Sequence, residues 1–181
     1  EPFFAAAVSI PLGILSDKFG GRVVFTLLLL ALTLPLLFGY FAQGYYTFLL
    51  VGTLLGLGGA SFVVGNAHVS SWYPKSKQGT ALGIFGMGNV GITVGMVTVT
   101  FLITGILSGP DRWRLIFPIF ASATFLMALI YWFFTSDPPN RKRKNTSLRA
   151  IFAVYRSGIV VWLVTYLYWV SFGTLTFFAS A

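Results

Sequence analysis

Several residue types that support chemistry are scarce or missing in this sequence. Cysteine is absent from all 181 residues, so the chain offers neither a disulfide nor a thiolate nucleophile. Four acidic residues and one histidine are too few for a metal cluster or a catalytic triad. We therefore expect no catalytic residue, no bound metal and no cofactor, and we do not expect an enzyme.

Charge is scarce as well. Charged residues make up 9% of the sequence, whereas soluble globular domains carry about 25%. Apolar residues make up 56%, and the mean hydropathy is +0.84. Because a backbone in lipid must satisfy its own hydrogen bonds, long apolar runs of this kind favour helices. The composition predicts an all-α, polytopic bundle of transmembrane helices.

Short polar stretches divide the chain into six expected spans. One crossing needs about 20 residues, so the uncharged run 23–72 is too long for a single span, and we place a break at Gln43 and Gly44. A long basic linker, 136–156, precedes the last span. Both chain ends fall inside apolar runs, so we expect a truncated part of a longer protein. The expected spans are residues 2–15, 23–42, 46–71, 79–107, 115–135 and 158–181.

The net charge of +8 comes from basic residues that lie between the hydrophobic runs. They are not interleaved with aromatic residues as in a nucleic-acid surface, so we expect no nucleic-acid partner. If successive spans cross the membrane in opposite directions, Arg112 and Arg114 are the only basic residues on one side. The excess of basic residues on the other side marks that side as the cytoplasm. That side carries Lys18, Arg22, Lys75, Lys77, Arg141, Lys142, Arg143, Lys144, Arg149 and Arg156.

The stretch 79–95 is an uncharged run with six glycines and one asparagine. Glycine lets neighbouring helices approach closely in a membrane. Asn89 is the one strong hydrogen-bonding side chain in the run, and it points out between two glycine faces. One interpretation is a packing helix; the other is a backbone brought close to a small polar substrate. The faces are Gly79, Gly83 and Gly86 on one side, and Gly88, Gly91 and Gly95 on the other.

The loop that follows the first span reads Gly13-Ile-Leu-Ser-Asp17-Lys-Phe-Gly20-Gly-Arg22. It resembles the G-x-x-x-D-R-x-G-R-R loop between the second and third helices of the major facilitator superfamily. Asp17 can accept a charge-assisted bond from Arg22 or face a helix N-terminus. The resemblance implies a gating role for Gly13, Asp17, Gly20 and Arg22, and the alternative is an ordinary capped turn.

Two further tracts resemble the nitrate/nitrite porter branch of that superfamily. They are GLGGASF, at residues 56–62, and WYPKSKQGTALGIFGMGNVG, at residues 72–91. The segment YWVSFGTLTFF, at residues 168–178, matches a pattern in the family's seventh helix. The resemblance implies that 1–135 is part of an N-terminal six-helix half (helices 2–6). It also implies that 136–156 is a cytoplasmic linker between the halves and that 157–181 is the first helix of the C-terminal half (helix 7).

The family transports nitrate, nitrite or both by alternating access, and its site residues carry over one at a time. Phe62 matches an aromatic residue of the fourth helix, and Tyr168 and Phe172 match an aromatic pair of the seventh. Asn89 matches the signature asparagine, within the glycines Gly86, Gly88 and Gly91. Aromatic walls would enclose the faces of a planar anion, while Asn89 and Tyr168 would bond its oxygens.

One position departs from the family. The family places an arginine two residues before the proline of its second helix, and Ser9 stands there in this chain. A serine hydroxyl replaces a forked, permanently charged clamp for the anion. The family's second clamp arginine lies in helix eight, beyond Ala181. His68, near the cytoplasmic end of its span, suits either helix packing or proton coupling.

Three function hypotheses follow. The first is a nitrate/nitrite transporter, monomeric at full length, whose other partners are the lipid bilayer and protons. The second is a transporter of the same fold for another small anion such as a carboxylate, because Ser9 removes the expected clamp. The third, a membrane enzyme or receptor, needs an acid, base or metal cluster within the membrane, and the sequence offers none.

Overall fold

The computed structural model of the chain describes residues 2–107, 109, 111–139 and 158–180. Within these ranges it leaves out the side chains of residues 2, 3, 6, 168, 169, 171–173 and 175–180. Every regular element in this part is helical, which confirms the predicted all-α class. The helices are α1 (Pro2–Phe19), α2 (Gly21–Phe41), α3 (Tyr45–Leu55), α4 (Leu57–Trp72), α5 (Lys75–Gly86), α6 (Val90–Phe101), α7 (Ile116–Phe134) and α8 (Ile159–Ser180).

Four stretches of the described chain are long and apolar enough to cross a membrane. They are Gly21–Phe41, Tyr45–Trp72, Lys75–Ile106 and Arg112–Phe134. The second joins α3 to α4, because Gly56 between them keeps helical backbone angles. The third joins α5 to α6 through a tighter 3₁₀ turn, Met87–Asn89, and ends in a π-helical turn, Leu102–Ile106.

The predicted polar loops are shorter than expected. The loop expected at 16–22 is helical except at Gly20, and the turn expected at 72–78 leaves only Tyr73 and Pro74 outside the helices. Gly20 makes the corner possible because its φ of 113° lies in a region that side chains other than glycine rarely adopt. The polar residues of both stretches therefore extend the ends of helices rather than forming separate loops.

Helices α2 and α7 pack along their lengths and define the two ends of the bundle. Near one end the Phe25 and Tyr131 rings lie 4.8 Å apart. Near the other, Phe117 lies against Gly39, and Arg114 donates to the carbonyl of Ala42 at 2.8 Å. The first end carries Arg22 and the second carries Arg114, as the charge distribution predicts.

Small residues bring α4 close to its neighbours. The Cβ of Ala5 lies 2.9 Å from the position that a Cβ on Gly59 would take, so α1 and α4 are in close contact there. Gly65 receives the ring of Phe85 from α5, and Gly21 of α2 receives the ring of His68. Close approach at small residues is the usual way in which helices associate in lipid. Helix α4 is therefore the element against which α1, α2 and α5 are positioned.

The chain divides into two compact units, Glu1–Lys144 and Asn145–Ala181. Within the first unit, α7 ends at Phe134 and a non-helical segment continues to residue 139. Within the second, α8 forms a single helix of 22 residues. Most of the basic linker expected at 136–156, including the RKRK run, lies outside the described residues.

Candidate functional site

Ser9 and Phe62 lie at the same level on neighbouring helices. Ala5, Ser9 and Gly13 recur every four residues on α1 and so share one face. Ala5 lies against Gly59, and a Cβ on Gly13 would be 4.0 Å from Val63, so Ser9 lies between these two contacts with α4. The Ser9 hydroxyl donates to the carbonyl of Ala5 at 2.7 Å. The serine is therefore bonded to its own helix.

Phe62 packs against a second aromatic residue, which the sequence analysis did not select. The rings of Phe62 and Phe85 have centroids 5.7 Å apart, with their planes inclined by 35°. Phe85 fits here because Gly65, on the next turn of α4, has no side chain to exclude its ring. Since the chain has 19 phenylalanines, nothing in the sequence distinguishes Phe85 from those that face lipid.

Asn89 lies one helical turn beyond Phe85, in the 3₁₀ turn. Its side chain is exposed within the described chain. A Cβ added to any of the six glycines of the stretch 79–95 would meet no described atom within 4 Å outside its own helix. The close neighbours expected at both glycine faces are therefore not among the described residues. Asn89 and the glycine backbone lie on an open surface next to the Phe62–Phe85 pair.

Asn66 is, after Asn89, a second amide in this region, and it was not selected from the sequence. It follows Phe62 by four residues on α4, is half-buried, and lies in a span without formal charge. On one side of this face Gly59 and Val63 meet α1, and on the other Gly65 meets α5. At about 100° per residue, Phe62 and Asn66 project between those two contacts. The signal that could have found Asn66 is an amide in an apolar span, since such groups need partners.

The other predicted site residues belong to α8. The side chains of Tyr168 and Phe172 lie outside the described part of the chain. The structure therefore places Ser9 on the α1 face that meets α4, Phe62 of α4 in contact with Phe85 of α5, and Asn89 four residues after Phe85. The predicted aromatic pair stays a prediction. Within residues 2–107, 109, 111–139 and 158–180, no three potential metal ligands of the His, Cys, Asp or Glu type form a group.

The predicted gating residues lie at the end of the bundle where α1 meets α2. Gly13 faces Val63, Asp17 is half-buried in the last turn of α1, and Gly20 forms the corner. From the sequence, Asp17 was expected to accept a bond from Arg22 or to face a helix N-terminus. In the structure the Arg22 guanidinium donates to the carbonyl of Trp132 in α7 through both Nε and Nη2. The partner is in α7 because α2 and α7 are packed neighbours, which spacing along the chain does not reveal.

His68 is a packing residue of this end. It is 7% exposed, rests on Gly21, and places Nδ1 3.4 Å from Oδ1 of Asp137. Of the two roles considered for it, helix packing is the one that these contacts support. Asp137 was not selected from the sequence, because it lies 69 positions from His68 and 115 from Arg22.

Comparison with known proteins gives a consistent assignment. The family model of the Major Facilitator Superfamily matches residues 2–181. A probable nitrate/nitrite antiporter NarK1 of Thermus thermophilus is 38% identical over 168 residues, covering 89% of this chain and 38% of that protein. A nitrite extrusion protein of Bacillus subtilis (strain 168) is 30% identical over 169 residues, covering 93% of this chain and 41% of that protein.

A nitrate/nitrite transporter NrtP of Nostoc punctiforme is 29% identical over 155 residues, with 78% of this chain and 31% of that protein covered. The chain thus spans about two fifths or less of the length of these relatives. The match along the whole chain agrees with the helical architecture and with the glycine-rich helix beside Phe62. The chain belongs to the major facilitator superfamily, and within it to the nitrate/nitrite porters.

Proposed function

We propose that this chain is part of a secondary active transporter that carries nitrate and nitrite across the cytoplasmic membrane by alternating access. The observation that carries the proposal is the Phe62–Phe85 pair beside the Asn89 turn, in a chain whose relatives are named as nitrate and nitrite transporters. Two inclined rings suit a planar anion, and an exposed amide can bond its oxygens. These features support a transporter rather than an enzyme.

In this proposal the site is shared between two halves that rock about it. The present chain supplies Ser9, Phe62, Asn89 and the backbone at Gly86, Gly88 and Gly91. Tyr168 and Phe172, on α8, are the aromatic residues that the second half contributes to anion binding. Residues 1–135 are then part of one six-helix half, 136–156 is the cytoplasmic linker and 157–181 is the first helix of the other half. The full-length protein is monomeric.

A second candidate, transport of another small anion such as a carboxylate, is favoured by Ser9. A buried anion without a counter-charge is costly, and the described side chains around Phe62 include no arginine or lysine. The two candidates differ in the acceptors that the site selects, because nitrate presents three equivalent oxygens in one plane, whereas a carboxylate presents two oxygens and a substituent that accepts no hydrogen bond. Competition between nitrate, nitrite, formate and chloride therefore separates them.

The test is counterflow in proteoliposomes that contain the full-length protein. Vesicles loaded with nitrite are expected to take up labelled nitrate, and vesicles without internal nitrite to take up much less if exchange is obligatory. Asn89→Leu, which removes the exposed amide while keeping the volume, is expected to lower nitrate uptake at least about ten-fold, because a hydrogen bond to a charged group contributes roughly 1.5–3 kcal/mol. Uptake of formate, without uptake of nitrate or nitrite, would contradict the first candidate and support transport of another small anion.

Asn66 gives a separate prediction. It lies one turn from Phe62 toward the end of the bundle that carries Arg22, so we expect it to contact the anion on its way to that end rather than in the central site. Asn66→Leu is expected to lower the maximal uptake rate about three- to ten-fold with a nearly unchanged KM for nitrate, which is about 0.7–1.4 kcal/mol on the barrier. Initial rates over a range of nitrate concentrations measure both quantities, and an unchanged maximal rate would contradict this role.

A further inference from the structure

The ends of α2 and α7 cap each other where Arg22 meets Asp137. Gly20, the N-cap of α2, has no side chain with which to bond the free N–H groups of the first turn. Oδ1 of Asp137 accepts the N–H of Arg22 at 3.2 Å, so a carboxylate from 115 residues away acts as that cap. In return, the Arg22 guanidinium donates to Trp132 in the last turn of α7 and lies 4.5 Å from the centre of the Trp132 ring.

The same carboxylate oxygen also joins α4 to this pair. Nδ1 of His68 lies 3.4 Å from Oδ1 of Asp137, and the His68 ring is buried against Gly21 and lies 6.1 Å from the ring of Tyr131. Asp137 therefore bridges the first turn of α2 and the last turns of α4. We call Arg22, His68, Trp132 and Asp137 the latch. Its contacts connect α2, α4 and α7, and Asp137, which follows the end of α7, takes part in two of them.

The position of Asp137 in the chain gives the latch its significance. Asp137 lies three residues beyond the end of α7, and Pro138 and Pro139 follow it. A residue before proline is held in extended backbone, and two prolines in succession keep the segment stiff. The backbone at Asp137 is therefore restricted, which favours a fixed contact between this carboxylate and Arg22 at the α1–α2 corner that contains Gly20.

We propose that Asp137 is a positioning residue for the cytoplasmic gate, holding the α1–α2 corner against α4 and α7 through Arg22 and His68. The inference rests on the proposed transport function. In it, the latch sets how readily the corner opens. A residue that merely stabilised the fold would lower the amount of folded protein without changing the opening of the corner in the protein that remains.

The opening of the corner can be measured without any substrate. Ser16, in the last turn of α1, is 5% exposed, and its carbonyl accepts the N–H of Gly20 at 3.0 Å. A Ser16→Cys variant of the full-length protein, with any other cysteine removed, places a thiol at this buried position. Its reaction with a membrane-impermeant maleimide, added to the cytoplasmic face of membrane vesicles, reports how often the corner opens.

In this background Asp137→Ala is expected to raise the labelling rate about five-fold or more, and Asp137→Glu, which keeps the carboxylate, to stay within about two-fold of the parent. His68→Gln is expected to raise labelling less than Asp137→Ala does. The double variant is expected to match Asp137→Ala alone, because both residues act through one contact. Asp111→Asn is the matched control: it also removes a carboxylate next to an arginine, but at the other end of the bundle.

Transport kinetics of the same variants separate gating from simple stability. Asp137→Ala is expected to change the maximal nitrate uptake rate per folded molecule at least about three-fold, with KM within about two-fold of the parent. Equal labelling in Asp137→Ala and the parent overturns the proposal, as does raised labelling with unchanged uptake kinetics. If the parent transports neither nitrate nor nitrite, the proposed function fails. The labelling series then decides the inference alone. Faster labelling in Asp137→Ala than in Asp111→Asn supports it, and equal labelling in the two variants overturns it.

Discussion

Gly65→Ala is expected to lower nitrate uptake about ten-fold or more, while Gly58→Ala leaves it close to that of the parent. Both glycines lie inside α4, where alanine is the better helix former by about 1 kcal/mol. They differ in their surroundings. A Cβ on Gly65 would overlap the ring of Phe85, whereas a Cβ on Gly58 would lie in ordinary contact, 3.8 Å from Leu32. The effect at Gly65 therefore reflects the position of Phe85.

The reason for a large effect is that Phe85 cannot move without disturbing Phe62. The two rings are in contact, and one extra methyl in a close-packed position costs about 1–3 kcal/mol, equivalent to about five- to a hundred-fold in an equilibrium. Displacement of Phe85 would tilt the aromatic wall and shift the Asn89 turn, which follows Phe85 by four residues.

Uptake per inserted molecule, normalised by immunoblot and by monodispersity after purification, is the measurement that compares the two variants. A loss shared equally by Gly65→Ala and Gly58→Ala would indicate a general effect of losing glycine from α4. Normal kinetics in Gly65→Ala would mean that Phe85 is not part of the site wall. A partial recovery of the Gly65→Ala variant by Phe85→Leu, which shortens the overlapping side chain, would attribute the loss to this contact.

Four of the six expected spans recur as long apolar helices in the described part of the chain. They could be predicted from hydrophobic runs, because an apolar stretch of sufficient length must form a helix in lipid. The corner at Gly20 was harder to place. Asp17, Lys18 and Arg22 look like loop residues, yet they continue α1 and start α2 on either side of one glycine. Polar residues at a membrane surface tolerate helix and loop equally, so composition does not locate the end of a helix there.

Contacts between distant parts of the chain could not be predicted. Arg22 has a carboxylate five residues away in sequence, at Asp17, and that spacing suggested a local pair. The structure directs Arg22 to α7 and brings Asp137 to the backbone of the same residue. Phe85 and Asn66 were missed for a related reason. The role of a phenylalanine or an amide in an apolar span depends on the residue that it faces. Gly65 of α4 makes room for the ring of Phe85, but the sequence does not show which side chain this glycine accommodates.

The glycine faces of the long helix Lys75–Ile106 were predicted to pack closely, and the described chain leaves them open. Gly79, Gly83 and Gly86 on one face, and Gly88, Gly91 and Gly95 on the other, keep that prediction for a protein of the relatives' length. Their spacing can indicate that a backbone is able to approach, but the identity of the approaching helix is not encoded in it. The same holds for Asn89, which is exposed between the two faces: the sequence does not identify the group that it contacts.

Ser9→Arg is expected to tighten nitrate binding about ten- to a hundred-fold in a full-length protein that carries the family's second clamp arginine in helix eight. The Ser9 hydroxyl donates to the carbonyl of Ala5, so it is already engaged by its own helix and offers the anion little. An arginine at this position adds a permanent charge and two parallel donors at the level of Phe62. Hydrogen bonds to charged groups contribute roughly 1.5–3 kcal/mol, which gives the expected range.

Two matched variants separate the possible causes. Ser9→Ala is expected to bind nitrate within about two-fold of the parent, because it removes only a hydroxyl that is bonded within α1. Ser9→Lys supplies a charge without the planar fork, so it is expected to gain less than Ser9→Arg for nitrate. Binding of nitrate and nitrite, with formate and chloride as competitors, measures both affinity and selectivity. If the parent already binds nitrate tightly and Ser9→Arg gains nothing, residue 9 is not the clamp position, and the anion lies elsewhere than between Ser9, Phe62 and Asn89.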